Sequence, residues 1–139
     1  MMNVGWNTMI LNGDLSGVGK YTEKLLKEMA CLDNNIDFYC FGSKSYNYEE
    51  NFNFQNIKTI LSKNIINKNK LLRIFYEQTF LPFKFYKKNI DILHCPAHII
   101  PLLSFTKTIV TIHDLIFKIL PKTSTKFKNI YRNIMVPIS

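Results

Sequence analysis

The feature that most constrains this chain is its alternation of short strand-like runs with stretches of helical periodicity. Residues 3–10 form a mostly apolar opening run. Residues 36–41 (IDFYCF), 57–61, 91–95 (DILHC) and 108–113 (TIVTIH) repeat the theme with β-branched and aromatic side chains that suit a pleated surface. After the first run, Val18, Tyr21, Leu25, Leu26 and Met29 recur at three- and four-residue intervals, with Lys20, Lys24, Lys27 and Glu28 on the other face. Ser16 is placed to cap that helix. Residues 71–80 (LLRIFYEQTF) predict a second helix, and Pro82 predicts its end or a kink, because proline lacks an N–H and crowds the preceding turn. Residues 124–135 predict a third, with Phe127, Ile130, Tyr131 and Ile134 on one face. Residues 43–55 are polar and aromatic without a period and read as an irregular loop. The Asn-Lys alternation of 63–70 marks another.

Strands that alternate with helices pair in parallel and are covered on both faces. The order β-α-β, loop, β, α, β, β, α therefore predicts an α/β fold, a Rossmann-like open parallel sheet with helices on both faces. The chain has 139 residues, 47% of them apolar and 20% charged, which suffices for one domain over residues 1–139 and excludes a disordered chain. The last predicted helix runs into Pro137 and Ser139 without a stop signal, so the sequence reads as cut rather than finished.

Eighteen Lys and Arg against ten Asp and Glu give a net charge of +8. A basic surface attracts phosphates, nucleic acid or anionic lipid. Abundant Lys, Asn and Ile together also fit a coding bias toward A and T, and both readings stand at this point. No nucleic-acid module is visible. Cys31, Cys40 and Cys95 form no C-x-x-C pair and are odd in number, which suits reduced thiols in a cytosolic protein. The opening MMNVGWNTMILNGD lacks the basic and long apolar regions of a signal peptide. No run reaches the roughly 18 apolar residues of a membrane span. The expectation is a cytoplasmic protein able to lie against the inner face of the cell membrane. Residues 83–88, with Lys84, Lys87 and Lys88 among aromatics, read as the membrane-facing part, and 71–80 as a core helix.

In an open α/β sheet, ligands bind beyond the carboxyl ends of the strands. Three polar features fall there: the glycine loop Ser16-Gly17-Val18-Gly19-Lys20, then His94, then His113-Asp114. Glycines let backbone approach a ligand, and N–H groups at a helix start favour anionic oxygen. A Walker loop is excluded, since Asp14 stands at its first glycine and Tyr21 at its hydroxyl position. The dinucleotide pattern is excluded as well, because Thr22 replaces its last glycine. His113-Asp114 ends a strand rather than riding on the helical scaffold of HD metal sites. His94 and His98 flank Pro96, which breaks the helix an i, i+4 metal pair needs. No metal is expected. His98 reads as a hydrogen-bonded ring without a catalytic role, whereas His113 reads as functional.

Together these segments resemble the N-terminal domain of the family 4 retaining glycosyltransferases, which have the GT-B fold of two Rossmann-like halves. The resemblance rests on Ser16-Gly17-Val18-Gly19-Lys20-Tyr21-Thr22, on Glu77-Gln78 with Leu81-Pro82, and on Asp91-Ile92-Leu93-His94-Cys95-Pro96 with Pro101. Its clearest part is Val110-Thr111-Ile112-His113-Asp114-Leu115-Ile116-Phe117, followed by Pro121. The motifs occur in family order and span nearly the whole chain. The resemblance implies transfer of a sugar from a nucleotide-sugar donor to a glycan or lipid-linked acceptor, with retention and without metal or other cofactor. It implies catalytic roles for His113, beside the transferred sugar, and for Asp114, which shapes that loop. It implies substrate binding by Gly17, Val18, Gly19, Lys20, Tyr21, Glu77 and His94. Lys20 stands where relatives often carry arginine, which keeps the charge but loses a bidentate contact. Nothing here matches the family's C-terminal donor-binding domain, so the chain alone is expected to be inactive, and that missing domain is itself an implied partner. The alternatives are a non-catalytic glycan-binding or docking module and a non-functional gene remnant.

Overall fold

A computed structural model describes residues 1–12, 15–63, 69–97 and 99–114. Its elements are β1 (Met2–Asn7), α1 (Gly17–Leu32), β2 (Ile36–Ser43), a short α2 (Tyr48–Asn51), β3 (Ile57–Ser62), α3 (Lys70–Lys87), β4 (Ile92–Cys95) and β5 (Lys107–Val110). The five strands form one sheet in the order β3-β2-β1-β4-β5. Every pairing is parallel, with Met2 opposite Ile36 and Val4 opposite Ile92. The expected α/β parallel sheet is therefore present. The helix expected over residues 124–135 lies outside the described residues.

Strand alternation sends successive side chains to opposite faces, and the two cores follow that parity. Val4 and Trp6 of β1 and Phe38 and Cys40 of β2 pack with Leu26 and Ala30 of α1. Phe41 of β2 and Leu93 and Cys95 of β4 pack instead with Leu81 and Phe85 of α3. Trp6, Phe38, Phe41, Leu26 and Phe85 are almost fully buried, each stabilising the fold by about 1.5–3 kcal/mol relative to exposure. The sheet is thus a layer between two helices.

Helix ends follow local chemistry. Ser16 caps α1 as expected, its Oγ accepting from Gly19 N at 3.3 Å. Helix α3 closes through Asn89 in the left-handed region (φ 48°). Asn89 N donates to Tyr86 O at 3.1 Å and Ile90 N to Phe85 O at 3.3 Å. Those two bonds and the Ile90–Phe85 apolar contact form a Schellman cap, with asparagine where glycine is usual.

Two expectations are corrected here. Helix α3 does not stop at Pro82 but continues to Lys87. Leu81 and Phe85 fill the core on that face, and their burial outweighs the hydrogen bond that Pro82 cannot make. Residues 43–55 are not wholly irregular either. Asn47 caps α2, and Tyr46, Tyr48 and Phe52 are buried in the α1-side core. Their spacing matches neither a strand nor a helix, so no periodicity announced them.

Candidate functional site

The strand order creates a switch point. From β1 the chain steps outward through β2 to β3, then returns to the other side of β1 with β4 and β5. Connections leaving β1 and β4 diverge at their carboxyl ends and open a crevice, the place where ligands bind in such sheets.

Most of the sequence-predicted residues gather on the α1 side of that crevice. The first turn of α1 presents Gly17, Val18, Gly19, Lys20 and Tyr21, with Gly17, Lys20 and Tyr21 exposed and Gly19 buried. A Cβ on Gly17 would meet nothing within 4 Å, whereas one on Gly19 would lie 3.2 Å from Leu15 Cδ2. Gly19 is therefore explained by packing, and open space remains above Gly17. The Tyr21 ring meets the His113 ring edge-on, with centroids 4.9 Å apart. This contact joins the start of α1 to the loop after β5.

His113 is exposed and sits three residues beyond β5, not in the strand that the TIVTIH run predicted. Its Nε2 is 2.8 Å from Pro96 O. A carbonyl only accepts, so Nε2 carries the proton. In the neutral ring, Nδ1 is then an acceptor. Asp114 follows, also exposed.

His94, in β4, is a wall residue of the same side. Its ring stands edge-on to Trp6 at 4.3 Å, and its Nε2 lies 3.0 Å from Thr111 Oγ1. Burial pushes its pKa below the ordinary value of 6.5. A histidine held neutral in the folded state takes up less proton than the unfolded chain, so stability is lost as pH falls below about 6.5. His94→Gln is expected to flatten that slope, as guanidinium unfolding at several pH values between roughly 5 and 7.5 will show. A slope unchanged in the variant would mean that His94 protonates normally.

Glu77 is placed elsewhere. It lies with Asn7 and Cys95 on the α3 side of the sheet and is completely buried. Arg73 Nε donates to Glu77 Oε1 at 3.0 Å. Burial raises the carboxyl pKa, while Arg73 and Asn7 favour its charged form. Oε2 has no hydrogen-bond partner among the described residues. Glu77 therefore stands apart from the cluster of His94, His113 and Tyr21 and is closed to ligand in this state. His98 lies outside the described residues.

Sequence reasoning missed two residues that shape this crevice. Thr111 positions His94 but was hidden as one more β-branched strand residue. Gln78 holds the loop between β4 and β5 by both ends of its amide: Nε2 donates to Ile100 O at 2.9 Å, and Oε1 accepts from Leu102 N at 3.0 Å. Two shallow depressions, beside Tyr46 and Thr59 and beside Asn34 and Asn56, share no residue with the cluster. Among the described residues no group of three or more His, Cys, Asp or Glu could hold a metal ion.

In comparison with known proteins, the chain matches no family model, no curated protein and no solved structure.

Proposed function

We propose that this chain is the acceptor-side domain of a retaining glycosyltransferase, working with a nucleotide-sugar donor bound by a second domain. The observation that carries the reading is the contact of Tyr21, at the start of α1, with His113, after β5, at the switch-point edge of the sheet where His94 also lies, together with the resemblance of those segments to the family 4 enzymes. N–H groups at the start of α1 favour anionic oxygen, and Lys20 adds positive charge there. His113, with Nε2 committed to Pro96, offers Nδ1 to a sugar hydroxyl, and Asp114 shapes the adjoining loop. His94 and Glu77 act as positioning residues, one bracing Thr111 and the other Arg73. Nothing in the chemistry assigned to these residues calls for a metal. Transfer needs the donor held in line with the acceptor, and positioning of that kind comes from both halves. The molecule would work in the cytoplasm, at the membrane when its acceptor is lipid-linked.

The 139-residue protein is expected to bind at least one glycan or lipid-linked acceptor saturably and to transfer no sugar. His113→Ala is expected to weaken binding roughly tenfold, the scale of about one lost hydrogen bond of 1.4 kcal/mol. A glycan array followed by calorimetry reads the first, and mass spectrometry with a panel of nucleotide sugars reads the second. No saturable binding across the panel sinks the reading. Turnover above the His113→Ala control would overturn the assignment of donor chemistry to another domain.

A further inference from the structure

No helix among the described residues is long and apolar enough to cross a membrane, and α3 turns two neighbouring polar side chains inward. Glu77 is buried with Arg73 as its partner. Gln78 reaches the loop between β4 and β5 and bonds to one short segment with both ends of its amide. Nε2 donates to Ile100 O at 2.9 Å, and Oε1 accepts from Leu102 N at 3.0 Å. An amide has a donor end and an acceptor end, so spending both on alternate residues of one segment fixes that segment's register along the helix. The described residues between Cys95 and Lys107 contain no helix or strand. Their backbone bonds are local, such as Ile99 N to Ala97 O and Ser104 N to Pro101 O. Turns of that kind give the loop a shape but no place relative to the sheet. Gln78 supplies the place, helped by Ile100, which packs against the α3-side core.

At its start this loop carries the Pro96 carbonyl. Thr111 N donates to Cys95 O at 3.0 Å, which takes the β4–β5 pairing to the end of β4. Pro96 has no N–H to continue it. Its carbonyl accepts instead from a side chain, His113 Nε2, at 2.8 Å. That bond keeps the proton on Nε2 and leaves Nδ1 an acceptor. Ile100 follows Pro96 by four positions, so the place where Gln78 holds Ile100 and Leu102 limits where the Pro96 carbonyl points. Tyr21, edge-on at 4.9 Å, restrains the plane of the His113 ring and not its tautomer.

We infer that Gln78 is a positioning residue for His113: by pinning Ile100 and Leu102 to α3, it keeps the Pro96 carbonyl against Nε2. The inference rests on the transferase reading in one respect, that His113 faces a sugar hydroxyl. With the proton held on Nε2, Nδ1 accepts from that hydroxyl; the other tautomer could not.

The full chain, labelled with heavy nitrogen, reports the tautomer by magnetic resonance at about pH 8, above the ordinary histidine pKa. The two ring nitrogens of a neutral histidine resonate far apart, and tautomer mixing draws them together. The His113 signals are assigned by their loss in His113→Gln. The wild-type ring is expected to carry its proton on Nε2. Gln78→Met keeps the length of the side chain without either bond and should lower the tautomer ratio roughly tenfold, the scale of one hydrogen bond. Gln78→Glu keeps the acceptor for Leu102 N and loses the donor to Ile100 O, so its ratio should fall between the two. Thr79→Ala is the control, since Thr79 Oγ1 donates to Phe75 O at 2.7 Å within α3; its ratio should equal the wild-type value. Exchange of the Leu102 amide, slow while Gln78 Oε1 holds it, shows in each variant whether the loop is released. A released Leu102 with unchanged His113 signals overturns the inference. So does a ratio that falls as far in Thr79→Ala, which would make the effect one of stability alone. A wild-type ring already mixed overturns it as well. Where Gln78→Met folds too poorly to assign, Gln78→Glu against Thr79→Ala decides on the same criteria. No sugar enters the measurement, so its failure is told apart from a failure of the glycan array, which bears on the transferase reading.

Discussion

Arg73→Ala is expected to lower the unfolding free energy by about 3–5 kcal/mol at neutral pH, the usual cost of leaving one buried charge without its partner. Arg73 and Glu77 are one helical turn apart on α3, joined at 3.0 Å, with Glu77 fully enclosed. Enclosure disfavours the carboxylate, which is why its pKa lies above the ordinary value of 4.5 even with Arg73 and Asn7 beside it. The sign of the pH dependence follows. A carboxyl with a raised folded pKa holds its proton longer in the native state than in the unfolded chain. Stability is therefore greatest below about pH 4.5 and falls as pH rises toward the folded value, then levels. Glu77→Gln removes that fall and should cost less than Arg73→Ala, because the Arg73 side chain it leaves keeps 18% of its surface in contact with solvent whereas Glu77 is fully enclosed. Arg73→Ala with Glu77→Gln should recover most of the single loss. Guanidinium unfolding of the four proteins, compared as a double-mutant cycle, reads the coupling directly. A coupling below about 0.5 kcal/mol would mean that water reaches Glu77.

What the sequence made legible was whatever a period could carry. The β-branched runs and the 3.6-residue spacing of Val18, Leu25 and Met29 located the sheet and α1. Turns at the strand ends mark the carboxyl edge of the sheet, where the switch point lies. The failures have physical causes. Pro82 reads as a stop because backbone chemistry is local, but Leu81 and Phe85 on either side of it are held by a core that sequence does not display. Tyr46, Tyr48 and Phe52 look like a polar loop's ornaments, since their spacing follows the shape of a cavity and not a repeat. Glu77 looked like a ligand contact beside His94. Sheet parity separates them: His94 points with Trp6 toward α1, while Glu77 shares the α3 side with Asn7 and Cys95. Which face a residue takes depends on register, and register appears only once the strands are paired.

The second large effect is predicted at Gly42. Gly42→Ala places a methyl group against the Tyr48 ring, with Cζ at 2.5 Å and the Tyr48 hydroxyl nearer still, and Thr8 Oγ1 at 2.8 Å. Tyr48 cannot simply retreat. Its hydroxyl donates to Thr8 Oγ1 at 2.8 Å, and its ring is bracketed by Tyr46 at 4.9 Å and Phe52 at 5.9 Å. Burial pushes the phenol pKa well above its ordinary value, so the group stays a donor throughout. Overpacking of this kind costs about 1–3 kcal/mol, and breaking a buried hydrogen bond on both sides adds a similar amount. The expected loss is therefore about 3–5 kcal/mol, a large share of the roughly 5–15 kcal/mol a domain of this size possesses. Shortening the obstacle tests the cause: in a Tyr48→Leu background the same Gly42→Ala change should cost under about 1 kcal/mol. A small cost in the wild-type background would show that Tyr48 has room the structure does not give it. Thr8 opens the loop that leads from β1 to the Ser16 cap, so displacing it should also disturb the start of α1. A loss of acceptor binding in Gly42→Ala, at temperatures where the protein is still folded, would tie this packing to the crevice.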